Sequence, residues 1–354
     1  MFLAINEIKA SKLRYFLVIG VVFLIAYLVF FLTGLSYGLA QDNRTAIDQW
    51  QAEDIIVANE SNNNLTMSQL TKQAADAVTA TEKAYLTQLP SVLKVGGEDE
   101  TTNVSFFGIE RTQFLKPSIT SGRMFQTDNE AVIDDSLQEL YGIKLGETLA
   151  LTKSTAPIKV VGIMHQAKYN VAPVIYVSQS TIDHLKGMET STASTRPINA
   201  IVTRGSVSGL TNDMKQLTIQ AFINKLPGYN AQVLTFAFMI GFLIVIAAIV
   251  ISIFIYVLTM QKVAIFGVMK AQGISSGYIA KSVVMQTFLL ATAGVLAGVL
   301  FTIGSAFVLP EKVPFQLDTG FFVGIGSLMV LFAVLGAFFS VRAIVKIDPL
   351  KAIG

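Results

Sequence analysis

The chain has 354 residues, of which 52% are hydrophobic and 14% charged, against roughly 25% charged in an average soluble domain. Cysteine is absent, which excludes disulfides, thiolate nucleophiles and cysteine metal sites. The formal net charge is only +2, and apolar residues gather at the N-terminus and after Val233. That distribution predicts a polar domain attached to membrane spans rather than one large soluble core.

In chain order, residues 1–14 place Phe2, Leu3, Ile5, Ile8 and Leu13 among Glu7, Lys9, Lys12 and Arg14. They read either as an amphipathic cytoplasmic segment at the membrane interface or as a plain charged tail. From Tyr15 the chain then runs 27 residues without Asp, Glu, Lys or Arg. Such runs recur for 36 residues after Lys225, 29 after Lys281 and 23 after Asp318. A helix needs roughly 20 apolar residues to cross the hydrocarbon, so each run holds one span and none holds two. Transmembrane helices are predicted at 15–37, 231–258, 283–308 and 319–341. The first run resembles a secretory signal, with Lys9, Lys12 and Arg14 before it and Gly38-Leu39-Ala40 after it. It exceeds the roughly 7–15 residues of a signal core, however, and is expected to stay as a helix.

Residues 38–230 are predicted to form an extracytoplasmic mixed α/β domain. Its first part, 40–90, favours helix by composition, with a turn at Asn59 to Asn64. Strands are expected at Asn103 to Ile109, Thr148 to Thr152, Ile158 to Met164 and Ala172 to Val177, punctuated by Gly122, Gly142 and Gly146. Leu210 to Leu226 reads as a helix leading to the second span, interrupted at Pro227-Gly228. No breaker intervenes between Leu234 and Lys270, so one helix is predicted to continue beyond the membrane. Residues 259–282 form a cytoplasmic segment in which Gln272 to Gly277 turns the chain back. Gly294 and Gly298 in the third span make a small-xxx-small pair suited to close helix contact, and Gly324, Gly326 and Gly336 are expected to pack similarly in the fourth. An outer loop, 309–318, separates these spans, and 342–354 is the tail.

Orientation follows from the basic residues. Lys9, Lys12 and Arg14, then Lys262, Lys270 and Lys281, then Arg342, Lys346 and Lys351 all fall on one side of a four-span protein. The positive-inside rule makes that side the cytoplasm. Residues 39–228 carry 16 basic and 20 acidic side chains, a net of −4, which suits the opposite side.

The familiar catalytic patterns are missing. There is no phosphate-binding G-x-x-x-x-G-K-[ST] loop and no H-E-x-x-H, and His165 and His184 are the two histidines. No ionisable group falls at midplane depth in any span, which argues against an ion-coupled carrier. The chain is expected to be no enzyme, to hold no structural metal and no intrinsic cofactor, and to draw its energy from a partner.

One span, a large external domain and three further spans is an order of elements that resembles ABC-transporter permeases of the macrolide-exporter and lipoprotein-release superfamily. Asp348-Pro349-Leu350-Lys351-Ala352-Ile353 resembles their C-terminal D-P-x-x-A-[LI] signature. Gln261, Lys262, Ile265, Gly267, Lys270, Ala271, Gly273 and Ile274 are similar to their cytoplasmic pattern R-x-x-E-[IF]-[GA]-x-x-[KR]-A-x-G, although Lys262 replaces the arginine and Ala264-Ile265 lacks the glutamate. Ser121 to Phe125, Tyr141 to Gly146 and Lys159 to Ile163 resemble stretches of the family's external domain. Within the superfamily, Leu3 to Ile8, Leu32 to Leu39, Lys270 to Ile274 and Val313-Pro314-Phe315 look like Gram-positive haem-export permeases.

That resemblance implies a homodimer in the cell membrane, two copies of a separate ABC ATPase that binds ATP, and haem as the transported substrate. It also implies coupling to the ATPase through Gln261, Lys262, Lys270, Ala271, Gly273 and Ile274. A haem site wants aromatic walls and ligands such as Tyr, His or Met. Candidates are Tyr229, Phe236, Met239 and Phe30 towards the outer ends of the first two spans, with Tyr169 and His165 in the external domain. The same residues could instead be interfacial belt or packing residues. Export of a peptide antibiotic, lipid or lipoprotein fits the same architecture, as does force transmission to a cell-wall hydrolase. No feature points to nucleic acid; membrane lipids are expected partners.

Overall fold

The computed structural model describes residue 7 and residues 11–95, 100–188, 196–310 and 312–345. The Asp348 to Ile353 signature and most of the N-terminal segment lie outside the described residues. Two compact units emerge, Met1–Gly38 with Val233–Gly354, and Leu39–Gln232.

Four long apolar helices, Lys12–Asp42, Tyr229–Met260, Ser276–Ala306 and Thr319–Val345, build the first unit. At 31 residues and about 1.5 Å per residue, the first and third exceed what the hydrocarbon requires. Small residues decide where they touch. A Cβ at Gly294 would lie 2.5 Å from Val22 Cγ1 and one at Gly298 2.7 Å from Ala26 Cβ, so the third helix meets the first almost backbone to backbone. Gly336 holds the fourth helix equally close to Ser252 of the second, whereas a Cβ at Gly324 would meet nothing.

The single helix expected from Leu234 to Lys270 is broken. It stops at Met260, and after a turn at Gln261 and Lys262 a separate short helix, Val263–Ala271, begins. Phe266 explains the break. It is 1% exposed and packs with Tyr15, Ile255 and Ile279. Burying such a side chain stabilises by about 1.5–3 kcal/mol, more than the roughly 1 kcal/mol of a helical hydrogen bond lost at the bend.

The second unit is a mixed sheet with short helices. Its main strands are β1 (Asp54–Ala58), β3 (Glu82–Lys94), β4 (Thr101–Ile109), β6 (Glu130–Asp134), β8 (Ile158–Met164), β10 (Ala172–Ser178) and β12 (Ala200–Arg204). They are joined by β5 (Ile119–Gly122), β7 (Thr148–Leu151), β9 (Lys168–Tyr169) and β13 (Met214–Thr218), and β2 (Leu70–Thr71) pairs separately with β11 (Pro197–Ile198). The order is β13-β1-β12-β3-β4-β10-β6-β8-β5, with β10–β4 and β6–β8 parallel and the remaining pairs antiparallel. Two expectations are corrected here. Residues 82–94 form a strand, not a helix, because Ala84 to Gln88 are buried between β12 and β4. Leu210 to Leu226 divides into β13 and a short helix, Ile219–Asn224.

Candidate functional site

Two regions gather the residues that the sequence singles out. The first lies where the first membrane helix meets the loop before the fourth. Gly34 and Gly38, one turn apart on the first helix, leave room for the loop before the fourth. A Cβ at Gly34 would sit 2.3 Å from the Phe315 ring, and one at Gly38 2.1 Å from the Pro314 carbonyl oxygen. The Gln316 amide donates to the Gly34 carbonyl at 3.2 Å. The Leu32 to Leu39 run and Val313-Pro314-Phe315, which resemble one family separately, are therefore packing partners. Phe31 meets Phe315 in a tilted ring contact at 5.5 Å and also lines a groove of about 820 Å³ with Phe23, Tyr27 and Phe301.

The haem candidates occupy different settings. Phe30 is fully buried and stacks on Phe322 at 5.2 Å, inside the membrane unit. On the second helix Phe236 is half-buried and Met239 is 43% exposed. Tyr229, at the start of that helix, is nearly buried, with the Arg44 guanidinium beside it; Arg44 grips Asp48 at 2.7 and 2.8 Å. Arg44 is absent from the sequence-based set because nothing local marks it.

Tyr169 lies in the interior of the inserted domain, 5.5 Å from Phe107 in a cluster with Trp50 and Tyr176. Burial holds its phenol well above the ordinary range, so the placement gives Tyr169 a packing role. His165 is exposed, with Nδ1 engaged by Asp135. The next residues are tied down: the Ala167 amide donates to Asp134, and Lys168 pairs with Asp42 at 2.8 Å. Burial raises the Asp134 carboxyl to about 6, opposed by its hydrogen bonds from Ser136 and Ala167. Among the described residues, no His, Asp and Glu cluster could hold a metal ion.

The inserted-domain motifs also meet. Gly122 pairs with Gly162 across β5 and β8, where a Cβ on either would strike a backbone oxygen at 2.3 Å. Leu145 closes on the same place, and Arg123 clasps Glu130 through two bonds of 2.6 and 2.8 Å. These stretches meet at one corner of the fold.

The second region is the turn between the second and third membrane helices. Gly273 takes φ +90°, a conformation that suits glycine, and Ser275 caps the third helix by accepting from the Tyr278 amide at 3.3 Å. Ile265 and Val268 are 57% and 45% exposed, and Ala271 and Gln272 share their exposure, while Ile274 packs inward. Lys262 does not join that outer face. Its ammonium lies 3.3 Å from Glu7 and donates to the Tyr15 hydroxyl at 2.9 Å. Tyr15 donates in turn to Gln286 Oε1 at 3.2 Å, and Gln286 Nε2 donates to Glu7. Arg14 binds Gln261 beside them at 2.6 Å. The sequence reading gave Tyr15 and Gln286 no role.

Four helices long and apolar enough to cross a membrane, a mixed-sheet domain inserted after the first, and a structured turn between the second and third make up the described chain. Residues 237–349 match the family described as FtsX-like permease C-terminal. It shares 27% identity over 365 residues with a Staphylococcus epidermidis protein named as the hemin transport system permease HrtB, covering 100% of this chain and 99% of the relative. A Staphylococcus haemolyticus protein of the same name shares 28% over 357 residues, with the same coverage. The extracellular domain of the noncanonic ABC-type transporter YknZ from Gram-positive bacteria aligns at 15% identity and TM-score 0.32, over 44% of this chain and 84% of that one.

Proposed function

We infer that the chain is the membrane subunit of an exporter that expels haem, working as a homodimer driven by two copies of a separate ABC ATPase. The termini face the cytoplasm and the inserted domain is extracellular, as the basic residues of the tails and of the 262–281 turn require. One observation carries the cargo assignment: similarity along the whole length, including the outer loop and the inserted domain, to relatives named for hemin transport.

The chemistry of the outer ends supports it. Haem presents a planar apolar ring, two propionates and an iron that accepts a phenol or thioether ligand. Tyr229, Phe236 and Met239 lie along one helix, with Arg44 beside Tyr229 as a cation suited to a propionate. The chain supplies no ATP chemistry; the partner's closure presses on the turn at 261–274, whose exposed apolar face receives it. In nanodiscs containing the chain and its co-encoded ATPase, haemin is expected to give a saturable Soret change and to alter ATP turnover. An assembled complex with neither response rejects haem and leaves a peptide, a lipid or a cell-wall partner.

A further inference from the structure

The break at Gln261–Lys262 raises a mechanical problem: a push on the short helix Val263–Ala271 cannot travel along continuous hydrogen-bonded backbone into the second membrane helix. The side chains around the break form a closed ring. Lys262 donates to Glu7 and Tyr15, Tyr15 donates to Gln286, and Gln286 donates to Glu7. Tyr15 and Gln286 are 1% and 5% exposed, and the Lys262 and Glu7 side chains are each 15% exposed. Lys262 also lies 5.4 Å from the centre of the Tyr15 ring. In so dry a setting a fully satisfied polar network is stiff, and losing one member leaves the others unpaired.

We propose that Lys262 is a positioning residue that clamps the short helix to the N-terminal segment and to the first and third membrane helices, so that these elements move as one body when the turn is displaced. The clamp replaces the continuity that the second helix lacks. It assigns Lys262 to the interior of the permease and leaves the ATPase contact to the exposed face at Ile265 and Val268. The proposal rests on the reading that a partner ATPase drives this turn.

The test compares wild type, Lys262→Met, Lys262→Arg and the milder Tyr15→Phe, each co-purified with the ATPase in nanodiscs. The measured quantity is the ATPase rate that depends on the permease, resolved into kcat and KM for ATP. Lys262→Met is expected to assemble and to lose about tenfold in kcat with KM for ATP held. Lys262→Arg, which keeps a charged donor, restores most of the rate, and Tyr15→Phe shows a smaller loss in the same parameter. Hydrogen exchange on the permease alone is expected to rise across residues 263–274 in both Lys262→Met and Tyr15→Phe. Unchanged exchange in Tyr15→Phe overturns the clamp, as does an unchanged kcat in Lys262→Met. Failure of Lys262→Met to bind the ATPase, with exchange as in wild type, would place Lys262 at the partner and also overturn it. A wild-type complex that turns over ATP but ignores haemin rejects the cargo while the clamp is still decided by these comparisons; absence of any complex rejects both.

Discussion

Single atoms settle several positions in this protein, and Gly38 is the sharpest. Its missing Cβ would stand 2.1 Å from the Pro314 oxygen, and backbone cannot move aside as a flexible side chain can. Gly38→Ala is therefore expected to cost about 1–3 kcal/mol, read as a lower unfolding midpoint in detergent; an unchanged midpoint would mean the 313–316 loop is free to shift. Asp134 supplies a prediction in pH. Its folded carboxyl is raised to about 6 from an ordinary value of 3.8, so the folded state holds its proton more tightly than the unfolded chain. Stability from this group is then full below about pH 4 and is lost as pH rises to about 6, by up to about 3 kcal/mol. Thermal melts between pH 4 and 7 should show a steeper decline in wild type than in Asp134→Asn, and equal slopes would refute it. If Tyr229 is the ligand proposed above, Tyr229→Phe is expected to alter the haemin Soret band; an identical spectrum removes Tyr229 as a ligand.

At the scale of elements, what the sequence revealed depended on how local the cause was. The spans were legible because excluding charge from hydrocarbon acts on every residue of a segment. Ile158–Met164 was legible because its β-branched run is bounded by turn residues. Glu82–Lys94 was not, since its Ala, Gln, Leu and Lys composition is helical in propensity and only the strands on either side impose extension. The bend at Gln261–Lys262 was equally hidden, for no proline or glycine marks it and Phe266 causes it from five residues away. Of the candidate site, the turn at 261–274 could be read from motif order, whereas the Lys262 ring could not, because it joins residues 7, 15, 262 and 286. The same turn carries a prediction. Its exposed face at Ile265 and Val268 is apolar. Association with the ATPase should thus change little as salt is raised, while Ile265→Glu should weaken co-purification markedly. Strong salt sensitivity in wild type would shift the contact to the basic residues.

For the whole molecule, the open question of assembly turns on which apolar surface faces protein and which faces lipid. Burial is uneven among the membrane helices: 17% of the most apolar window is buried in the second, against 44% in the third. The second helix turns Phe238, Phe242, Val245, Ile249, Ile253 and Tyr256 outward, spaced three or four residues apart along one broad stripe. Lipid tails are as apolar as these side chains, so exposure alone does not drive association; a partner gains through packing. In the proposed homodimer this stripe meets its copy, which would place the Tyr229 end of both helices at a shared outer mouth. Because the chain has no cysteine, single introduced thiols report contacts without background. Phe242→Cys or Ile249→Cys in nanodiscs is expected to form a disulfide-linked dimer on mild oxidation. Leu300→Cys, on the third helix and 70% exposed, is expected to remain monomeric. The reverse pattern would move the subunit interface to the third helix, and the haem path with it, towards the groove lined by Phe23, Tyr27 and Phe301.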